Sequence, residues 1–201
     1  MSFDLIVGPM YSNKTSMLPV LAAKYAYNPM DNKLDKILYF KSDIDTRYLK
    51  SSETNNKIIS HTGKSNDAIV IKDGKEILNY DAKVYCIDEG HFISGLYNPI
   101  EDLLFHNKFV IVSMLTGTYK RTNFLNVVDL YSLATNIIHL KSTCRRCLTT
   151  KNIIREAPYS MKILGEKKDK GFIEVGGDEL YFALCPECYK KEIIKYTKEN
   201  D

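Results

Sequence analysis

Short, almost wholly apolar runs alternate along the first part of the chain with stretches whose apolar positions recur at helical spacing. Phe3–Val7 is the first such run, and Gly8-Pro9 breaks it. Behind it, Met17, Leu18, Leu21, Ala22 and Tyr25 recur with a period of about 3.6, which predicts a helix between Ser12 and Tyr27. Lys36–Phe40, Ala68–Ile71 and Lys83–Ile87 read as further strands, the last running into Asp88-Glu89. Pro99 is placed to open a helix lasting to His106. Phe109–Leu115 is the strongest strand signal in the chain. Continuous apolar strands interleaved with helices predict an α/β fold, a parallel sheet covered by helices on both faces. The pattern changes after about His139, where two C-x-x-C pairs bracket a polar segment rich in Lys and Gly with no helical period. That predicts an α/β unit over 1–140, a small cysteine-bearing β-ribbon unit over 141–195, and a frayed tail at 196–201.

Composition narrows the classes without choosing among them. Of 201 residues, 44% are hydrophobic and 26% charged, which suits a globular chain and excludes disorder away from the ends. A net charge of +3 is too mild for a nucleic-acid binder. The short basic pairs Lys167-Lys168 and Lys190-Lys191 sit beside Glu166, Asp169 and Glu192, as on a solvated face. No apolar run reaches the ~18–20 residues that span a bilayer, and no signal-peptide pattern opens the chain. The expectation is a soluble, cytoplasmic protein with neither membrane nor nucleic acid as partner.

The candidate chemistry lies at the strand ends. Gly8-Pro9-Met10-Tyr11-Ser12-Asn13-Lys14-Thr15 follows a strand and opens a helix, the context of a phosphate-binding loop. Backbone N–H groups and the helix start would face the phosphates, Lys14 would reach the β and γ groups, and Thr15 would ligate Mg²⁺. Asn13 stands where a second glycine is usual. It is the non-glycine residue that best tolerates a left-handed backbone. Pro19 falls inside the following helix, where it removes a hydrogen bond at a cost of about 3 kcal/mol. Asp88 suits the metal side of phosphoryl transfer and Glu89 the base that accepts the acceptor's proton. Cys144, Cys147, Cys185 and Cys188 have the composition of a closed, structural four-thiolate zinc site. Arg145 and Arg146 could offset thiolate charge, and Cys86 reads as a small buried hydrophobe.

Together these motifs resemble the type II, zinc-containing thymidine kinases of animals, bacteria and large DNA viruses. The likeness runs from Asp4 to about Lys190. It is carried in order by Gly8–Thr15, Asp45-Thr46-Arg47-Tyr48, Ser60-His61-Thr62-Gly63, Asp88-Glu89-Gly90-His91-Phe92, Leu115–Arg121, the cysteine pairs, and Val175-Gly176-Gly177 with Tyr181. The resemblance implies ATP-dependent phosphorylation of the thymidine 5′-hydroxyl, with Glu89 as base and Asp88 with Thr15 on Mg²⁺. It implies that Asp45, Thr46 and Arg47 serve the nucleotide site. His91 stands in that set where an amide is common and has no catalytic role. Phe92 and Tyr119 would pack around thymine with Arg121 beside them. Phe172, Ile173, Glu174, Val175 and Gly176 would form the lasso whose main chain reads the base, with Tyr181 near the sugar. It further implies feedback inhibition by dTTP and a homotetramer or homodimer. Thr116, where the animal enzymes carry Asp, and the longer segment between the cysteine pairs depart from the pattern. Two alternatives accompany this reading: a catalytically weakened nucleotide-binding homologue of the same fold, and a zinc-ribbon NTPase acting on nucleic acid.

Overall fold

The computed structural model describes residues 1–45, 56–59, 63, 65–124, 127–163 and 180–200, with Val127 and 196–200 described by backbone alone. Six strands form one sheet: β1 (Ser2–Gly8), β2 (Ile37–Ser42), β3 (Ile69–Ile71), β4 (Val84–Ile87), β5 (Phe109–Leu115) and β6 (Asn136–His139). Their spatial order is β6-β1-β5-β4-β2-β3, and every neighbouring pair is parallel. The α/β expectation from continuous apolar runs therefore holds.

Side-chain alternation explains why those runs lack polar gaps. Phe3, Leu5 and Val7 of β1 and Val110, Val112 and Met114 of β5 enter one core with Ile100, Leu103 and Leu130. Ile6 and Ile111 point the other way, joining Cys86, Leu18, Ala22 and Ala26. Helix α1 (Lys14–Ala26) supplies the last three at four-residue spacing, so one stripe faces the sheet. Full burial of each large aliphatic side chain contributes about 2 kcal/mol. Asp4 is the exception on this face. Its carboxylate accepts from Tyr25 Oη at 2.6 Å and Asn136 Nδ2 at 2.8 Å, and is satisfied there.

Helix α2 (Tyr97–Phe105) starts two residues before Pro99. The first four N–H groups of a helix have no partner within it, so proline is tolerated one or two positions further in than expected. Among the elements of the sheet half that were not foreseen are α3 (Val127–Leu133) and the edge strand β6. Both are short, and β6 carries exposed Ile137 (49%) and a polar end, so its periodicity is weak.

Beyond β6 the chain forms two small antiparallel pairs, β7 (Ser142–Thr143) with β8 (Glu156–Ala157), and β9 (Tyr159–Lys162) with β10 (Tyr181–Leu184). Two helices join them, α4 (Arg145–Lys151) and α5 (Pro186–Asn200). The ribbon expectation thus lacked its helices, and the α5 backbone is helical beyond Lys195, where a frayed tail was expected. This cysteine lobe contacts the loop after β1 and the segment around Tyr119. The Met10 N–H donates to Ser160 Oγ at 2.9 Å, Ser142 Oγ to the Tyr11 carbonyl at 3.1 Å, and Tyr189 Oη to the Tyr119 carbonyl at 2.6 Å. No helix among the described residues is long and apolar enough to cross a membrane.

Candidate active site

The loop after β1 is shaped by steric limits and one carbonyl. A Cβ on Gly8 would lie 2.5 Å from Ser12 Oγ and 2.8 Å from the Leu140 carbonyl, so the position excludes any side chain. The Pro9 carbonyl accepts from Lys14 Nζ at 2.7 Å and Ser12 Oγ at 2.9 Å, drawing the loop closed. Tyr11 and Asn13 are both left-handed, each with φ of 63°. Asn13 thus adopts the conformation that a glycine is usually needed for, and it does so at the N-cap of α1. Alternating right- and left-handed residues turn successive N–H groups to one side, the geometry of an anion-binding concavity. Pro19 is accommodated within α1 rather than ending it.

At the end of β4, Asp88 and Glu89 are each 4% exposed. Thr15 Oγ1 lies 3.2 and 3.1 Å from the two Asp88 oxygens, so the two residues assigned to one metal meet in space. A hydroxyl and a carboxylate are hard oxygen donors of the kind Mg²⁺ takes. Glu89 has φ of 51°, a left-handed conformation that costs a non-glycine residue about 1–3 kcal/mol. Behind it Gly90 is required, since a Cβ there would meet Val112 Cγ1 at 2.5 Å. One cleft is lined by the loop, Asp45, Asp88 and Glu89, with Lys57, Ile58 and Ile59 on its far wall.

Sequence reasoning missed three side chains here. Ser113 is fully buried on β5, donates to Asp88 Oδ1, and accepts the Glu89 N–H at 3.4 Å. Its one signal was a hydroxyl near the end of an otherwise apolar strand. Lys41 is 3% exposed, and its Nζ donates to the Lys57 carbonyl at 3.5 Å, tying β2 to the cleft wall. Lys57 belongs to a short hairpin with no sequence signature.

Other expected residues lie elsewhere. His91 does not line the cleft but is buried behind Glu89, its ring 4.1 Å from that of Phe92 and 4.6 Å from that of Phe124. Its Nδ1 accepts the Leu115 N–H at 3.4 Å. Glu89 Oε2 approaches the same Nδ1 at 3.5 Å. Phe92 is half-buried in that cluster. Tyr119 and Tyr181 instead pack with Met10 of the loop, and Lys162 Nζ stands 5.6 Å from the Tyr119 ring centre. The resemblance puts Arg121 beside Phe92 and Tyr119. Its guanidinium covers Tyr189 at 5.0 Å and Tyr159 at 5.6 Å. Thr46, Arg47, Phe172, Ile173, Glu174, Val175 and Gly176 lie outside the described residues.

In the cysteine lobe, the sulfurs of Cys144, Cys147, Cys185 and Cys188 all lie within 4.8 Å of one another. Cys147 Sγ is 3.8 Å from Cys185 Sγ and 3.6 Å from Cys188 Sγ. A tetrahedron with metal–sulfur bonds of about 2.3 Å has edges of about 3.8 Å, so the donor set fits zinc. Each pair straddles a helix start, Cys144 capping α4 and Cys185 preceding α5. The guanidinium beside the sulfurs that the sequence did not single out is Arg155. Glu187 and then Cys185, both hydrogen-bonded to it, raise its pKa. Arg146 pairs with Glu192, and Arg145 stands 5.9 Å from the Phe182 ring centre. Cys86 is fully buried, and burial, followed by the Asp88 carboxylate, pushes its thiol up.

A family model described as thymidine kinase matches residues 1–189. Thymidine kinase 1 of Dictyostelium discoideum is 33% identical over 193 residues, covering 94% of this chain and 78% of that protein. The cytosolic thymidine kinase of Cricetulus griseus is 33% identical over 190 residues, with 94% and 73% covered. Variola virus thymidine kinase is 30% identical over 187 residues, with 92% and 95% covered.

Proposed function

Since the chain belongs to the thymidine kinase family, we propose that it transfers the γ-phosphoryl group of ATP to the 5′-hydroxyl of thymidine. The observation that carries the reading is the meeting of three parts at one cleft: a left-handed loop, the Thr15–Asp88 contact, and Glu89. On this reading the loop N–H groups and the start of α1 bind the phosphates. Lys14 exchanges the Pro9 carbonyl for phosphate oxygens. Thr15 and Asp88 hold Mg²⁺, which when bound would neutralise charge on the phosphoryl oxygens. Glu89 accepts the proton of the 5′-hydroxyl as O5′ bonds to the γ-phosphorus and the bond to the β-bridging oxygen breaks. ADP leaves and dTMP forms. Met10, Tyr119 and Tyr181 form an apolar wall beside the loop suited to the nucleoside. The zinc-held lobe fixes that wall through Ser160 and Tyr189.

Asn13 bears on the weakened-homologue alternative. Its φ of 63° keeps the loop in the glycine-like conformation, which favours turnover. The test is transfer of labelled phosphate from ATP to thymidine with Mg²⁺, followed by a nucleoside panel for selectivity. No transfer by folded, zinc-loaded protein sinks the proposal, and thymidine binding without turnover, read by calorimetry, leaves only the weakened homologue.

A further inference from the structure

We propose that Ser113 is a positioning residue of this site: its hydroxyl orients the Asp88 carboxylate and pins the Glu89 peptide, so that the metal-side and proton-accepting groups are set by one side chain. The inference rests on the kinase reading and names a residue that reading does not use.

Register places Ser113 where it is. Ile87 of β4 pairs with Val112 of β5, so the next residues along, Asp88 and Ser113, face each other just past the ladder. Ser113 also pairs with Ile6 of β1, whose side chain enters the core on the α1 face. Paired residues of neighbouring strands point to the same face, so Ser113 turns toward the side from which Thr15 reaches Asp88. The hydroxyl uses both of its capacities. It donates to Asp88 Oδ1, a charge-assisted bond, and accepts the N–H of Glu89 at 3.4 Å.

A buried hydroxyl needs a hydrogen-bond partner, and any nearby acceptor would satisfy it. This one bonds across strands to two consecutive acidic residues, one of them in a strained backbone conformation. Strain of that kind persists only where the surroundings hold it. In the kinase reading Thr15 also ligates the metal, so Ser113 is a protein hydroxyl left to anchor Asp88 when Thr15 is engaged. Groups that orient metal ligands from behind typically change metal affinity or activity by 10–100-fold when removed.

The experiment compares zinc-loaded wild type with S113A and S113T. Mn²⁺ is the probe, titrated with ATP present and thymidine absent, and followed by electron paramagnetic resonance. S113A is expected to bind Mn²⁺ with ATP about tenfold more weakly and to lose kcat by a similar factor. Its KM for thymidine and its melting temperature stay near wild type, and S113T restores metal affinity. If S113T does not fold, S113C serves as the variant that keeps a weak donor. Wild-type Mn²⁺ affinity in S113A overturns the proposal. So does a loss that falls equally on thymidine KM and melting temperature, which would mark a packing role. Failure of the wild type itself to bind Mn²⁺ with ATP overturns the kinase reading and this inference with it, a result distinct from equal binding by both proteins.

Discussion

The sheet end and the cysteine lobe meet at the loop after β1 but are held by different forces. The sheet is flanked by two apolar cores containing Phe3, Leu5, Ile6, Phe40, Tyr85, Ile100 and Ile111, all at most 1% exposed. That surplus can carry local strain, and left-handed Tyr11, Asn13 and Glu89 lie on its rim. The lobe's buried cluster is Cys144, Cys147, Cys185, Ala157, Ala183, Met161, Leu184 and Tyr189, mostly small side chains and sulfur. A cluster of that size cannot offset the ordering entropy of its own residues, and small units of this kind rely on a metal. Most left-handed non-glycine residues therefore sit where the core is large, Asn152 of the lobe excepted, and a four-sulfur clip sits where it is small.

The comparison breaks most visibly if the metal is removed. Structural zinc in small peptides is bound by about 10–16 kcal/mol, a large term beside a cluster of mostly small side chains. Chelation should therefore abolish thymidine phosphorylation. In hydrogen exchange, amides of 142–147 and 181–189 should lose protection while β1 and β5 keep theirs. Equal protection in both regions would show that the lobe stands on its packing. Glu89→Gln tests the other half, since it removes the proposed base while keeping shape. Activity should fall at least ~10²-fold with an unchanged melting temperature, and a melting temperature that falls with activity would mean Glu89 is held for stability.

Smaller effects sharpen the contrast within the sheet half. Pro19→Ala restores a hydrogen bond inside α1, offset in part by a freer unfolded chain, and should stabilise by about 2 kcal/mol in denaturant unfolding. No gain would show that α1 has already adapted around the proline. Asn13→Ala places a residue that tolerates the left-handed region less well than Asn at φ of 63°. It should cost about 1 kcal/mol. It should also weaken ATP binding in calorimetry, whereas Asn13→Gly should leave both near wild type.

What was legible in the sequence was local. The loop, the acidic pair after β4 and the cysteine pairs are contiguous patterns whose chemistry depends on spacing, and each lies where its pattern implied. Long strands buried on both faces were also legible, because their apolar runs have no polar gaps. The short edge strand β6 and helices α3 and α4 were not, since few residues in each face a core. The expected place of Arg121 beside Tyr119 assumed neighbours in sequence. The left-handed turn at Arg121 (φ 61°) accompanies its placement over Tyr159 and Tyr189 of the lobe.

By itself, then, the chain determined the class of fold, the loop and the donor sets, because periodicity and spacing are properties of neighbouring residues. The tertiary structure decided which strand ends lie side by side. The order β6-β1-β5-β4-β2-β3 makes β4 and β5 neighbours, and that pairing alone sets Ser113 against Asp88 and Glu89. It also put His91 against Phe124 and Ser160 beneath Met10. Contacts between residues far apart in sequence follow from strand pairing and core packing, which no local pattern records.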